Sequence, residues 1–332
     1  MRIKVLRPGL LTTIQDMGRY GFQQHGVIVS GAMDTFAMRM ANLLVGNAEG
    51  EAVLEITLLG PKLLFEEDAL IAICGANISP EISGQPILQW RPVYVKKGSV
   101  LNFGSCVFGC RTYLAIAGGY AVEKVLGSRS TYLRAGLGGY CGRALKEGDV
   151  LEAGSPSEWS IQKMRKLADR GEAASAPGWS ISVDVFPQYD NNPTVRVLRG
   201  AQFDMFTEES RQALFAEAFQ VTPQSDRMGY RFTGPVLMLS EPTEMISESV
   251  ASGTIQVPPG GQPIALLADR QTAGGYPKIA QIISADLPVI AQVKPGDSVR
   301  FTEVSLEEAE VLYVAREMQI QQVKKGIALR YS

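Results

Sequence analysis

Two stretches of this 332-residue chain carry the same anchors in the same order, and that duplication constrains the fold more than any other feature. Leu6-Arg7 returns as Leu198-Arg199, and Ser30-x-x-Met33 as Ser225-x-x-Met228. Gly60-Pro61 returns as Gly234-Pro235, and Gly84-Gln85-Pro86-Ile87 as Gly261-Gln262-Pro263-Ile264. Val95-Lys96-x-Gly98 with Phe103 returns as Val293-Lys294-x-Gly296 with Phe301. Both copies are built from short alternating or apolar runs, such as IKVL, ALIAICGA and VRVLRG, punctuated by Gly, Pro, Asn and Ser. Such runs are strands joined by turns. The regular strand-helix alternation of a parallel α/β sheet is missing, so the pattern predicts a mainly β protein of tandem closed barrels with a few short helices. The expected boundaries are a first barrel over 1–152, a polar Ser/Gly/Pro-rich linker over 153–180, and a second barrel over 181–332 ending in a helix.

The offsets between matched anchors locate what each copy has added. About 21 extra residues lie in the first copy between Met33 and Gly60, and they hold DTFAMRMANLLVGN. Asp34 there can cap a helix whose Phe36, Met40, Leu43 and Leu44 share a face, with Gly46 as its left-handed stop. About 21 extra residues also follow GQPI in the second copy, and they include DRQTAGGYPK at 269–278. Polar residues there suggest a site grafted onto one copy of a duplicated scaffold. Two more helices are expected: one after Thr207 through EESRQALFAEAF, and one opened by the capping box Ser305-x-x-Glu308 and stopping before Gly326.

Charge narrows the partners. Thirty-two Lys and Arg against 34 Asp and Glu leave a net charge of -2, which offers no basic footprint for nucleic acid and no polybasic membrane patch. No secretory leader and no apolar run of about 18 residues is present, so a cytoplasmic protein is expected. Cys74, Cys106, Cys110 and Cys141 lack CxxC spacing and read as small hydrophobes, with no metal site expected. His25 is the single histidine and reads as a solvated loop residue. No P-loop and no GxSxG elbow occurs. Met38-Arg39-Met40 lacks the lysine that covalent biotin needs.

Three glycine-rich stretches hold the candidate site residues. In QDMGRYGFQQHGVIVSGAMD, Asp16, Arg19, Ser30 and Gly31 are placed to bind a small anion, and Asp34 is a candidate for proton transfer; surface turns would use the same residues. In PQSDRMGYRFTGP, Asp226 and Arg227 are either ligand contacts or a salt-bridged hairpin. The third stretch joins Glu248 and Gln256 to DRQTAGGYPK, where Asp269 is a candidate base and Lys278 a candidate for neutralising developing negative charge. Gln271, Thr272 and Tyr276 would orient a substrate, and Gly274 and Gly275 would present backbone donors. A plain polar turn is the alternative.

The same stretches, together with EITLLGP, STYLRAGLGG and GTIQVPPGGQPIALLADRQTAGGYPKIA, resemble the kinase-inhibitor antagonist (KipA) family, also known as the C subunit of 5-oxoprolinase (PxpC). That family is related to allophanate hydrolase subunit 2 and to the carboxyltransferase part of urea carboxylase. The resemblance runs from about Met1 to Phe301. It implies cyclophilin-like barrels and two partner proteins, one of the KipI (PxpB) type and one of the PxpA type. Together these would cleave 5-oxoproline to glutamate with ATP and Mg2+ bound in the complex, and Arg19, Arg227 and Lys278 would face transferred phosphate. Two other roles follow from the same resemblance: relief of KipI inhibition of a sporulation histidine kinase, and carboxyl transfer from biotin.

Overall fold

The structure, a computed structural model, describes residues 1–330. It is mainly β, and its residues divide into two compact units. The first comprises Met1–Arg19, Ser30–Phe186 and the chain from Gln319 on; the second comprises Tyr20–Val29 and Pro187–Met318.

The first unit contains two six-stranded antiparallel sheets. One runs in the order Val150–Glu152, Arg2–Arg7, Lys62–Phe65, Val100–Asn102, Glu81–Ile82, Gln85–Pro86. The other runs Ala174–Ser175, Pro92–Val95, Ala69–Asn77, Phe108–Ile116, Val53–Thr57, Leu11–Gln15. One apolar core draws on both, joining Ile3, Val5 and Phe65 of the first sheet to Ile56, Ile73 and Leu114 of the second. Alternation produces this: in RIKVLR only Ile3 and Val5 point inward, as the period of two requires.

The second unit closes as a seven-stranded barrel in the order Thr194–Arg199, Lys278–Ile282, Thr254–Gln256, Ile264–Leu266, Gly229–Thr233, Ala218–Val221, Ser298–Glu303. Its first strand, TVRVLR, buries Val195 and Val197 at the positions where RIKVLR buries Ile3 and Val5. The repeat is equally visible at Val-Lys-x-Gly. Ser99 N donates to Lys96 O and Asp297 N to Lys294 O, and both third positions are left-handed glycines, Gly98 at φ 82° and Gly296 at φ 95°. A turn with positive φ at its third position selects glycine. Each turn then feeds a strand or strand end carrying a buried phenylalanine, Phe103 or Phe301. Phe301 meets the rings of Phe219 and Phe232 at 5.7 and 5.8 Å in the barrel core.

The helices follow their sequence signals with four corrections. α1 (Thr35–Leu44) is capped by Asp34, whose Oδ1 accepts from Ala37 N at 2.9 Å, and Gly46 has φ 76°. It is buried on more than the expected face, because it packs on strands Ala69–Asn77 and Phe108–Ile116 while α2 closes over its end. A Cβ on Gly46 would collide with the ring of Trp159. The stretch 153–180, expected as a linker, is part of the first unit. Its α2 (Glu158–Ala168) is capped by Ser157, Ser160 Oγ donates to Val45 O at 2.7 Å, and Ala174–Ser175 pairs with Pro92–Val95. Buried Ser160, Leu167 and Ser175 tie it down where composition alone suggests solvent. α3 (Glu208–Ala216) stops short of Phe219, since Ala218–Val221 is needed as a barrel strand.

α4 (Leu287–Ala291) begins with a proline in its first turn. α5 (Leu306–Leu329) opens with the expected capping box: Ser305 N donates to Glu308 Oε2 and Glu308 N to Ser305 Oγ. It runs on through Gly326, a cost in helix propensity of about 1 kcal/mol that the surrounding turns absorb. Tyr331 and Ser332, the end of the expected second domain, lie outside the described residues. No helix among the described residues is long and apolar enough to cross a membrane.

Candidate functional site

The expected site residues gather into two polar clusters, one in each unit. In the first, Asp16 follows strand Leu11–Gln15 and is nearly inaccessible. Its Oδ1 accepts from Ser130 Oγ at 2.5 Å, Ser128 Oγ at 2.7 Å and Gly18 N at 2.8 Å, and its Oδ2 accepts from Arg129 N at 2.6 Å. Four donors offset the cost of burying a carboxylate. Arg19 is fully buried, with Nε donating to Val125 O and Nη2 to Ser130 O, both at 2.9 Å. Gly138 lies under its guanidinium, where a Cβ would stand 2.7 Å from Nη2.

The Ser30–Asp34 loop is held on the same scaffold. Ser30 takes φ 57° and donates from Oγ to Thr131 O at 3.0 Å. Gly31, at φ 92°, packs on the Gly18 backbone, from which a Cβ would stand only 3.0 Å. Met33 N donates to Glu55 Oε2 at 2.8 Å; Asp34 N donates to Tyr113 Oη at 2.7 Å, and that hydroxyl donates on to Glu55 Oε2 at 2.8 Å. Burial, with the Glu55 and Asp34 charges beside it, pushes the Tyr113 hydroxyl well above the ordinary phenol range, so it stays a neutral donor. Asp34, a candidate for proton transfer, is thus the buried cap of α1.

In the second cluster Arg227 forks onto Asp269, Nε to Oδ2 at 2.9 Å and Nη2 to Oδ1 at 3.0 Å, with both side chains less than a tenth exposed. The backbone repeats the link, as Asp269 N donates to Arg227 O at 2.8 Å. Asp226 instead receives Met228 N and Gly229 N on Oδ1, folding the turn on itself. Arg227 thus makes a bidentate bridge to a residue 42 away in sequence. Asp269 has both oxygens engaged; to serve as a base it would have to leave this fork.

Lys278 forms a second, separate ion pair. Its Nζ lies 2.6 Å from Glu248 Oε1, with the lysine side chain 13% exposed and the glutamate 49%. Strand Glu248–Ser249 is positioned by pairing with Ala273–Gly274, Glu248 opposite Gly274. Gln202 braces the pair, accepting Lys278 N on Oε1 at 3.1 Å and donating from Nε2 to Glu248 Oε1 at 3.5 Å. The Lys278 hydrogen bond and charge hold the Glu248 carboxyl below its ordinary range. Gln256 is buried and donates to Tyr276 O at 3.4 Å, and a Cβ on Gly274 would stand 2.5 Å from its Nε2. Gln271 and Thr272 are half-buried, Thr272 O accepting Val250 N at 3.2 Å.

The end of the same stretch borders a hollow. Gly275, Tyr276 and Pro277 help line a cavity of about 570 Å³ with Phe206, Met245 and Val257 among its other walls. Asp269, Thr272 and Lys278 are not among its lining residues; Asp269 and Lys278 hold separate ion pairs, with Arg227 and Glu248.

Sequence reasoning missed Glu55, Tyr113, Ser128, Arg129, Ser130 and Gln202. Ser128, Ser130 and Thr131, with Arg129 among them, form a polar run before a glycine cluster, which is a signal for a loop but not for what it grips. His25 is exposed on a short 3-10 turn, its ring beside the Gln24 amide and its backbone N donating to Phe22 O. All four cysteines are unpaired in disulfides.

With the geometry in place, likeness to known proteins can be read. A family model described as the carboxyltransferase domain, subdomain A and B, matches residues 25–303. The 5-oxoprolinase C subunit of Haemophilus influenzae is 37% identical over 313 residues, 94% of each protein. That of Escherichia coli is 38% identical over 309 residues, 92% of this chain and 93% of the relative. The crystal structure of Kluyveromyces lactis urea carboxylase superposes with a TM-score of 0.87 at 32% identity, over 98% of this chain but 29% of that much longer one.

Proposed function

The chain belongs to the carboxyltransferase-domain family of subdomains A and B, and from that premise we propose that it is the C subunit of a complex that opens 5-oxoproline to glutamate at the expense of ATP. The observation that carries the reading is the alignment with two 5-oxoprolinase C subunits over more than nine-tenths of each. The urea carboxylase likeness is close in fold, with a TM-score of 0.87, but spans less than a third of that protein.

Opening an unstrained lactam is unfavourable, so its carbonyl must be activated before water attacks, and the negative charge that develops on oxygen must be stabilised. Lys278 is the group in this chain best placed for that duty. Its ammonium is largely withdrawn from water yet paired with a carboxylate whose other side is open, so an incoming anion can exchange with Glu248 without stranding a buried charge. The glycine backbone at Gly274 and Gly275 supplies neighbouring donors. Asp226, Arg227 and Asp269 rigidify loops of the same unit, while Asp16, Arg19, Ser30, Gly31 and Asp34 do so for the loops of the first unit.

Nucleotide and Mg2+ belong to the partner proteins in this reading. Two of the cations that phosphate would recruit are already engaged by buried partners: Arg19 on two carbonyls and Arg227 on Asp269. Among the described residues no three His, Cys, Asp or Glu side chains are grouped to hold a metal ion. A protein of the KipI (PxpB) type and one of the PxpA type are the proposed partners, in the cytoplasm.

The test is to purify the chain together with the products of its neighbouring genes and supply 5-oxoproline, urea or allophanate with ATP. Glutamate release from 5-oxoproline, lost in Lys278→Ala while the complex stays assembled, is the expected result. Turnover of urea or allophanate with none of 5-oxoproline would overturn it. The fold likeness to urea carboxylase supports a second reading, carboxyl transfer from a biotin carried by another chain; incorporation of labelled bicarbonate would reveal it.

A further inference from the structure

α5 carries two apolar stripes where a surface helix needs one. Its inward stripe holds Ala309, Leu312 and Ile320, spaced by whole turns, and Ala309 and Leu312 pack with Ile283 and Ala285. On the opposite side Val311 is 67% exposed, Val314 48% and Met318 61%, and Ala315 is exposed beside them. Helices of globular proteins keep the outward face polar unless something covers it. The outward positions are Glu307, Val311, Val314, Met318, Gln321 and Lys325, all exposed and separated by four, three, four, three and four residues. That is the alternation of a helix-pairing seam. It is also symmetric about its own middle, between Val314 and Met318.

The charges say what fits it. Acid gathers at one end of the helix, in Glu307, Glu308 and Glu310, and base at the other, in Lys325 with Arg330 just past the helix, while Lys324 beside them is paired with Glu49 at 3.0 Å. A face whose spacing is palindromic and whose ends have opposite sign complements an inverted copy of itself. We propose that α5 pairs antiparallel with α5 of a second copy of this chain, about a two-fold axis beside Val314 and Met318. Val314 of each copy then meets Met318 of the other, Val311 meets Gln321, and Glu307 meets Lys325, about 27 Å along the axis from its own Lys325. Ala315 next to the axis leaves room for the helices to approach. One pair of helices buries less than the roughly 1,600 Å² of a standard interface, so the dimer is reversible with a micromolar dissociation constant. This inference does not depend on the proposed enzymatic role.

Sedimentation velocity of the full chain, from about 1 to about 200 µM, tests it. The wild type should pass from monomer to dimer across that range, and Met318→Glu should remain monomeric. Glu307→Lys and Lys325→Glu should each weaken the dimer about tenfold, and the two together should return it to within about threefold of wild type. These side chains are exposed in the monomer, so circular dichroism and the melting temperature, both taken at about 1 µM where the wild type is monomeric, should not move in any variant. A wild type monomeric throughout overturns the proposal. So does a double variant no better than either single one, because only inverted pairing brings residues 307 and 325 together. If Met318→Glu blocks assembly with a different protein of the complex while the wild-type chain alone never dimerises, the face belongs to that protein and the proposal fails.

Discussion

In the first unit Asp16 accepts four hydrogen bonds out of reach of water, while in the second Glu248 stands half in solvent with Lys278 largely buried behind it. Both are carboxylates beside glycine-rich loops, and from sequence they look alike. The difference is whether a group can change partners. Asp16 is surrounded by hydroxyl and amide donors fixed by the backbone, and exchange would leave several of them unpaired. Glu248 is held by one flexible cation and a long contact from the Gln202 amide, and can be replaced by another anion. Arg227 with Asp269 belongs, by this measure, with Asp16 although it lies in the second unit.

The comparison breaks most visibly at the fork. Asp269→Ala should destabilise the second unit by about 3–5 kcal/mol, because Arg227 is left charged and buried. Replacing both partners with apolar residues, Arg227→Met with Asp269→Leu, should recover most of that loss; equal melting temperatures for the single and double variants would show the fork is not the source. Asp16→Ala follows at about 3 kcal/mol, as Ser128, Ser130, Gly18 N and Arg129 N lose their acceptor, read by denaturant unfolding. Lys278→Ala should behave oppositely, leaving the melting temperature nearly unchanged and lowering turnover of the assembled complex about a hundredfold.

Asp34→Ala should cost about 1 kcal/mol, the ordinary value of an N-cap, with Asp34→Ser close to wild type. A catalytic Asp34 would instead make the serine variant inactive at full stability.

The smallest effect sharpens the comparison by pH. A carboxyl whose folded-state pKa is depressed adds stability above its unfolded range and loses it as pH falls through the folded value. Glu248 therefore should stay ionised in wild type below the ordinary glutamate range and titrate back within it in Lys278→Ala, as followed by carboxyl NMR shifts. An unchanged titration would mean that Lys278 is not its partner in solution.

How much of this was readable from the chain varies residue by residue. The caps Asp34, Ser305 and Thr207 and the glycine turns at 98 and 296 were legible, since each depends on partners within four residues. The strand repeat was legible through its alternation and its matched anchors. The 153–180 stretch was misread because its polarity hides a few contacts, Ser160 to Val45 among them, that only packing supplies. The bridge from Arg227 to Asp269 was not legible, because the two stand 42 residues apart and only the fold brings them together.

By itself, then, the sequence determined a duplicated β protein, the places where each copy gained an insert, and the glycine-flanked stretches where charge collects. These rest on local forces: the strand period, the cost of positive φ, and the capping of free backbone amides. Which charge meets which, and which of them keeps an open side, was decided only in three dimensions. Burial sets the cost of a charge and distant backbone sets its partners, and neither is encoded in the spacing of neighbours along the chain.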